Sequence, residues 1–264
     1  MNKMENMCLE EYCYNDLKKL AQNMEIPIRR SKISLIKEIK SAFNEYERYK
    51  KNKLDKYKRL KQLGECGKER KTYLVNNRAG KEYVMKTFRK QKSSNKLLKE
   101  AELQKLSADI GVAPNIIDID TVSKYIVMEK MDRHFLEVIK EQGKTITKQQ
   151  QRQIISIYKK LDKVKVFHGD VNLMNYMYKG DKLFIIDFGM AKEVTSVLIK
   201  NLDTDTPNMN IMTLRLALKL RELGFSKSSY EYIVKYLSDE QCIKFGFKSI
   251  SNNITKPQNR RSDN

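Results

Sequence analysis

The strings HGDVNLMN at 168–175 and IIDFG at 185–189 decide how this chain is read. They place Asn175 five residues after Asp170, and Asp187 twelve residues after Asn175. A lone Asp-Phe-Gly carries little information, because a tripeptide recurs by chance in chains of this length. The two strings in this order and at this separation carry far more. One carboxylate can orient a hydroxyl and take its proton. A carboxamide and a second carboxylate supply the hard oxygen donors that Mg²⁺ takes alongside phosphates. His168 reads as a residue that bonds backbone and steadies the loop.

The flanking segments have periodicities of their own. TKQQQRQIISIYKKLDKV (147–164) predicts a helix with Thr147 as its N-cap, leading into the first string. NYMYKGDKLFII (175–186) predicts a hairpin turning at Gly180-Asp181. Upstream, GKEYVMKTF (80–88) alternates as a strand with Val84 and Lys86 on one face. SSNKLLKEAELQKLSADIG (93–111) predicts a helix bearing Glu100 and Glu102, and TVSKYIVMEKMD (121–132) a strand and its exit. LKQLGECGKERKTYLV (60–75) reads as strand, turn, strand, with Gly64 and Gly67 in the turn and Cys66 between them.

In this order, the segments resemble the protein-kinase-like superfamily over residues 57–247. The resemblance implies an α+β bilobal fold that uses ATP and Mg²⁺. It assigns Asp170 to the acceptor hydroxyl, and Asn175 and Asp187 to the metal. Lys86 would bind the α- and β-phosphates, with Gly64 and Gly67 in the loop above them, where missing side chains let backbone amides approach. Val84 and Met177 would pack on the two faces of adenine, beside Met128. The backbones of Glu129 and Met131 would bond its edge. Glu100 would pair with Lys86, since it precedes Gly111 by the family's eleven residues, with Glu102 as the rival.

Departures from ordinary protein kinases narrow the resemblance. Gly169 stands where an arginine usually precedes the catalytic Asp, so a phosphorylated activation loop would lack its dock. Asn172 stands where Ser/Thr kinases place a lysine, and no Ala-Pro-Glu string follows Gly189. The remainder predicts two helices, around 208–223 and 227–246, hence a reduced C-lobe. These features are similar to the small kinase of the KEOPS tRNA-modification complex and to RIO kinases. The Lys-rich layout also resembles kinases encoded by large DNA viruses. The expected activity is phosphorylation of Ser or Thr on a protein substrate. A KEOPS-type ATPase serving a partner complex, a small-molecule kinase, and a binding module with a weak kinase domain are the alternatives.

Composition bounds these readings. Hydrophobic residues make up 40% of the 264, enough for a core. No apolar run approaches the ~20 residues of a membrane span, so no membrane partner is expected. The acidic start MNKMENMCLEEY does not resemble a signal peptide, which predicts an intracellular, unsecreted protein. Cys8, Cys13, Cys66 and Cys242 lack zinc-site spacing and read as reduced thiols.

The net charge of +20 suits an anionic partner, or reflects a Lys-rich codon bias. Residues 1–44 predict a helical appendage. Leu17, Leu20, Ala21 and Met24 form one stripe and Pro27 a break. A second helix follows Ser31, presenting Ile33, Ile36 and Ile39. This resembles the SAP or Rho-N helix–extended–helix module, which implies contact with nucleic acid through residues 14–61. Residues 45–56 read as a basic linker; 45–61 hold eight Lys/Arg against three Asp/Glu, interleaved with Tyr46, Tyr49 and Tyr57. A brace packed on the kinase-like domain is the competing role. The tail at 248–264 is polar and predicted to be disordered.

Overall fold

The structure, a computed structural model, describes residues 8–54, 56–64, 70–89 and 91–247. Cys66, Gly67 and the tail at 248–264 lie outside the described residues. Contacts divide the chain into two compact units, Met1–Gln62 with Leu74–Glu82, and Leu63–Tyr73 with Tyr83–Asn264.

The first unit opens with a short 3-10 turn, Leu9–Glu11, then helices α1 (Tyr14–Asn23) and α2 (Lys32–Leu54). Leu17 and Ala21 stand one turn apart on α1 and bury against Leu35, Ile36 and Ile39 of α2, with Leu9 closing the cluster. Ile33, expected on the buried stripe, is 81% exposed. The stripe runs through positions 35, 36 and 39, which places position 33 well round the helix. Helix α2 also outlasts its expected end. It runs through the basic stretch to Leu54, because that stretch is rich in Lys, Glu and Arg and holds neither Gly nor Pro. Strands β1 (Tyr57–Leu63) and β2 (Arg70–Asn77) follow as sheet neighbours. Asn77 closes the turn after β2, its Oδ1 accepting from the amides of Ala79 and Lys81.

Besides Leu63–Tyr73, the second unit takes in β3 (Glu82–Phe88) from Tyr83 on, then α3 (Ser94–Asp109), β4 (Ile116–Asp120) and β5 (Tyr125–Glu129). Strand β5 lies between β3 and β4 and is antiparallel to both. Its register sets Lys86 opposite Ile126 and Val84 opposite Met128. Ser93 caps α3, accepting from the Lys96 amide. The helix buries Leu97 and Ala101 against Ile126 and Met128, flanked by Val84 and Phe88.

There follow β6 (Arg133–His134), α4 (Phe135–Glu141), α5 (Lys148–Lys163), β7 (Val166–Phe167), β8 (Tyr176–Lys179), β9 (Lys182–Ile185) and β10 (Lys192–Glu193). The unit ends with α6 (Ser196–Leu202), α7 (Thr213–Glu222), α8 (Glu231–Val234) and α9 (Asp239–Phe245). Thr147 and Gln150 form a reciprocal capping box that starts α5. Ile154, Tyr158 and Leu161 of α5, Leu216 and Leu220 of α7, and Tyr176 and Ile185 of the hairpin share one large apolar core. The hairpin closes as its sequence predicts, Lys179 pairing with Lys182 around Gly180-Asp181.

The helix expected at 208–223 runs unbroken to Glu222, whereas the one expected at 227–246 is interrupted. A π turn, Asn208–Met212, leads into α7, and the second stretch splits into a 3-10 turn and two short helices. Serine causes the breaks. Ser238 turns extended to cap α9, and the Ser229 hydroxyl pairs with that of Ser226 and accepts from the Ile146 amide.

Candidate active site

The loop after β7 is held by buried polar groups. His168 is fully buried, and its amide donates to Asn208 Oδ1 at 3.0 Å. Asn208 in turn donates to Asp162 Oδ1 at 2.6 Å and to the Val166 carbonyl at 2.7 Å. Asp162 also accepts from the amides of Asn208 and Met209. Helix α5 therefore fixes the loop through one carboxylate. Burial pushes the Asp162 carboxyl upward, against the hydrogen bonds that favour its charge.

The His168 ring spans the two loops that carry the motif strings. Nδ1 lies 3.1 Å from the Asp170 carbonyl and Nε2 3.0 Å from the Ile186 carbonyl. Burial lowers its pKa more than these carbonyls raise it, so the ring is held neutral. A neutral imidazole has one N–H and can donate to only one of the two. Phe188 packs edge-on to the ring at 5.0 Å between centroids.

Asp170 is held at both oxygens. Oδ1 accepts from the Asn172 amide at 3.1 Å, and Oδ2 from Asn175 Nδ2 at 2.8 Å. With its nitrogen so engaged, Asn175 keeps Oδ1 as its oxygen donor. Its carbonyl accepts from the Ile186 amide at 2.8 Å, which ties it to the residue before Asp187. Gly169 has φ +79°, and a Cβ there would meet the Met190 carbonyl at 3.4 Å. An arginine at this position would be strained, which gives a backbone reason for the missing dock. Asp187 is itself left-handed, at φ 69° and ψ 71°, a conformation Asp tolerates better than most residues.

Strand β3 brings the cation. Lys86, 6% exposed, lies 2.9 Å from Asp187 Oδ1 and bonds Glu100 Oε1. Of the two candidate glutamates, Glu100 is buried and paired with Lys86. Glu102 is exposed and pairs with Lys99 at 3.2 Å. Lys92, which the sequence did not single out, bonds the other oxygen of Glu100. Among so many lysines it had no distinguishing spacing; its place just ahead of the Ser93 cap is the one available signal. Asp162 and Asn208 were also missed, being 46 positions apart.

The expected adenine-side residues lie in the same unit. Val84 is half-buried beside buried Met128, and Met131 is buried where the chain leaves β5. Met177 is half-buried on β8, opposite Phe184 and His134. Glu129 donates its amide to the Asn115 carbonyl, while its carboxylate takes the Lys179 ammonium. Gly64 is exposed at φ +66°, ending β1. Among the described residues no three His, Cys, Asp or Glu side chains gather to hold a metal. A cation held by Asn175 and Asp187 would need further oxygens from a bound phosphate, as Mg²⁺ commonly does. No helix among the described residues is long and apolar enough to cross a membrane.

Residues 41–221 match the RIO domain. The chain is 27% identical over 172 residues to a probable bifunctional tRNA threonylcarbamoyladenosine biosynthesis protein of Methanosphaera stadtmanae, covering 65% of this chain and 31% of that one. It is 26% identical over 118 residues to a probable serine/threonine-protein kinase BUD32 homolog of Archaeoglobus fulgidus, covering 45% and 57%. With the KEOPS complex subunit Bud32 of Pyrococcus abyssi it shares 26% over 125 residues, covering 45% and 55%. The chain thus spans 31% to 57% of the length of these relatives. Because the RIO match takes in well over half of its residues, the chain belongs to the RIO-domain family, within the protein-kinase-like superfamily.

Proposed function

We propose that this protein transfers the γ-phosphoryl group of ATP to a Ser or Thr hydroxyl of a protein substrate. The observation that carries the reading is Lys86, a buried lysine bonded at once to Glu100 and to Asp187, 101 positions further on. A buried ammonium between two carboxylates is costly unless its geometry serves a purpose, and here it stands ready for a polyanion.

Each side chain has a role that follows from its place. Asp170, fixed at both oxygens, receives and orients the acceptor hydroxyl and accepts its proton as the bond to phosphorus forms. Lys86 takes up charge on the phosphates, and Glu100 aims it. Asn175 Oδ1 and Asp187 would hold Mg²⁺, which when bound neutralises charge on the phosphates. Val84 and Met177 offer apolar faces to adenine, while the backbones of Glu129 and Met131 offer its edge a carbonyl and an amide. Gly64 and Gly67 would cover the phosphates. His168 stays neutral and structural. Label transfer from γ-labelled ATP, with and without a generic acceptor protein, tests the reading; incorporation above that of an Asp170→Asn control supports it, and no incorporation overturns it.

A second reading is favoured by the relatives, two of which are named for KEOPS or for tRNA threonylcarbamoyladenosine biosynthesis. In it the same residues hydrolyse ATP to serve a partner complex, and phosphate release without acceptor labelling distinguishes it. The basic helix α2 and its hairpin would add a nucleic-acid contact through residues 14–61. Retention on DNA or RNA that weakens steeply with salt would support that contact.

A further inference from the structure

Glu100 has two cations, and the nucleotide reading uses one. Lys92 sits in the turn between β3 and α3, where its amide donates to the Arg89 carbonyl and Ser93 then caps the helix. Its ammonium bonds Glu100 Oε2 while Lys86 takes Oε1. Both ammonium groups lie over the ring of Phe88, Lys92 at 4.1 Å and Lys86 at 5.4 Å from its centroid. Phe88 stands two residues along the same face of β3 as Lys86, so strand and turn converge on one carboxylate. The side chains of Lys86, Glu100 and Lys92 are only 8%, 4% and 20% exposed. At that burial charge balance matters.

Among the described residues this cluster sets two ammonium groups, Lys86 and Lys92, against two carboxylates, Glu100 and Asp187. We propose that Lys92 is a positioning residue of the nucleotide site, holding the outer oxygen of Glu100 so that Lys86 can turn from Asp187 to the phosphates. The proposal rests on the nucleotide reading above. Without Lys92, one ammonium would face two carboxylates, be clamped more tightly by both, and compete worse for phosphate. Loss of an ammonium would also make the surroundings of an incoming polyanion less positive. Both effects act on the ground state, so they weaken binding and leave the bound complex able to react.

The test compares ATP·Mg²⁺ affinity and steady-state turnover in the unchanged protein, Lys92→Met and Lys92→Arg, with thermal unfolding of each. Methionine keeps the apolar stem over Phe88 and removes the charge; Lys92→Gln serves if Lys92→Met does not fold. Lys92→Met should raise the dissociation constant and KM for ATP about tenfold, the loss of one charge-assisted contact, with kcat changed far less. Lys92→Arg should restore most of the affinity. Affinity in Lys92→Met equal to that of the unchanged protein would overturn the proposal, and so would equal losses in the Met and Arg variants. A lower melting temperature with unchanged KM would make Lys92 a packing residue only. If the unchanged protein bound no ATP·Mg²⁺ at all, the nucleotide reading itself would fall, and this proposal with it.

Discussion

The loop that carries Asp170 and the N-terminal helical hairpin are held by opposite means. Six buried apolar side chains, Leu9, Leu17, Ala21, Leu35, Ile36 and Ile39, make up the hairpin core. The loop depends on buried polar groups, with Asp162, Asn208 and His168 joined in one hydrogen-bonded chain. Apolar packing is non-directional and tolerates exchange of one aliphatic residue for another. A polar chain fixes atoms to within tenths of an ångström and tolerates almost nothing, because each lost partner strands a buried group. The contrast separates a loop held by directional bonds from a hairpin held by apolar packing.

The largest effect is expected at Asp170, the carboxylate proposed to receive the acceptor hydroxyl. Asp170→Asn should lower turnover by roughly 10²–10⁴-fold while leaving the unfolding transition near its original position. A leucine-to-alanine change in the hairpin, Leu17→Ala, should do the reverse: a loss of roughly 2–5 kcal/mol in the hairpin, seen in its hydrogen-exchange protection, with turnover nearly unchanged. Comparable turnover losses from the two variants would erase the distinction.

Next in size is the buried anchor. Asp162→Ala removes the acceptor of three donors, two on Asn208 and one on Met209. It should cost about 3 kcal/mol in denaturant unfolding and also depress kcat, since the His168 amide rests on Asn208. Loss of stability without loss of kcat would make the anchor structural only.

The pH dependence is smaller and has a defined sign. His168 is held neutral, so below its ordinary pKa of 6.5 the unfolded chain binds a proton that the native state refuses. Stability is therefore complete above pH 6.5 and declines as pH falls from 6.5 toward the lowered native value, by about 1.4 kcal/mol per unit of depression. His168→Gln should flatten this limb. Asp162, raised by burial above its ordinary 3.8, acts with the opposite sign, and the difference between the unchanged protein and His168→Gln isolates the His168 limb. A stability curve flat from pH 7 to 5 in the unchanged protein would refute the neutral buried ring.

The smallest effect is expected in the segment after Gly189. Thr195 caps α6 by accepting from the Leu198 amide, and Gly169 replaces the arginine that would dock a phosphate there. Replacing Thr195, Ser196, Thr204 and Thr206 together with alanine should change turnover by no more than about twofold. Activity lost in that variant, and restored by a phosphate on one of the four residues in the unchanged protein, would sink this expectation.

How much could be read from sequence follows the same contrast. That Asn175 meets Asp170 and Lys86 meets Asp187 was legible, because short strings fix the first three and strand alternation sets the face of Lys86. The choice of Glu100 over Glu102 followed from one spacing to Gly111, and the exposed Glu102 accords with it. Asp162 and Asn208 left no trace, since a contact across 46 positions has no local period. Lys92 was hidden by the abundance of its own residue type. Ile33 misled because three isoleucines at intervals of three suggest a stripe that Leu35 in fact shifts. The helix expected at 227–246 was overdrawn because serine hydroxyls compete with the backbone in ways that apolar periodicity does not register.

If Lys86, Glu100 and Asp187 form a site for ATP with Mg²⁺, direct titration shows it. Nucleotide binding should be measured in the unchanged protein and in Asp187→Asn, each with Mg²⁺ and with a chelator. ATP binding strengthened by Mg²⁺ is expected in the unchanged protein, and loss of that strengthening in Asp187→Asn. Mg²⁺-independent binding that is identical in both proteins would contradict it.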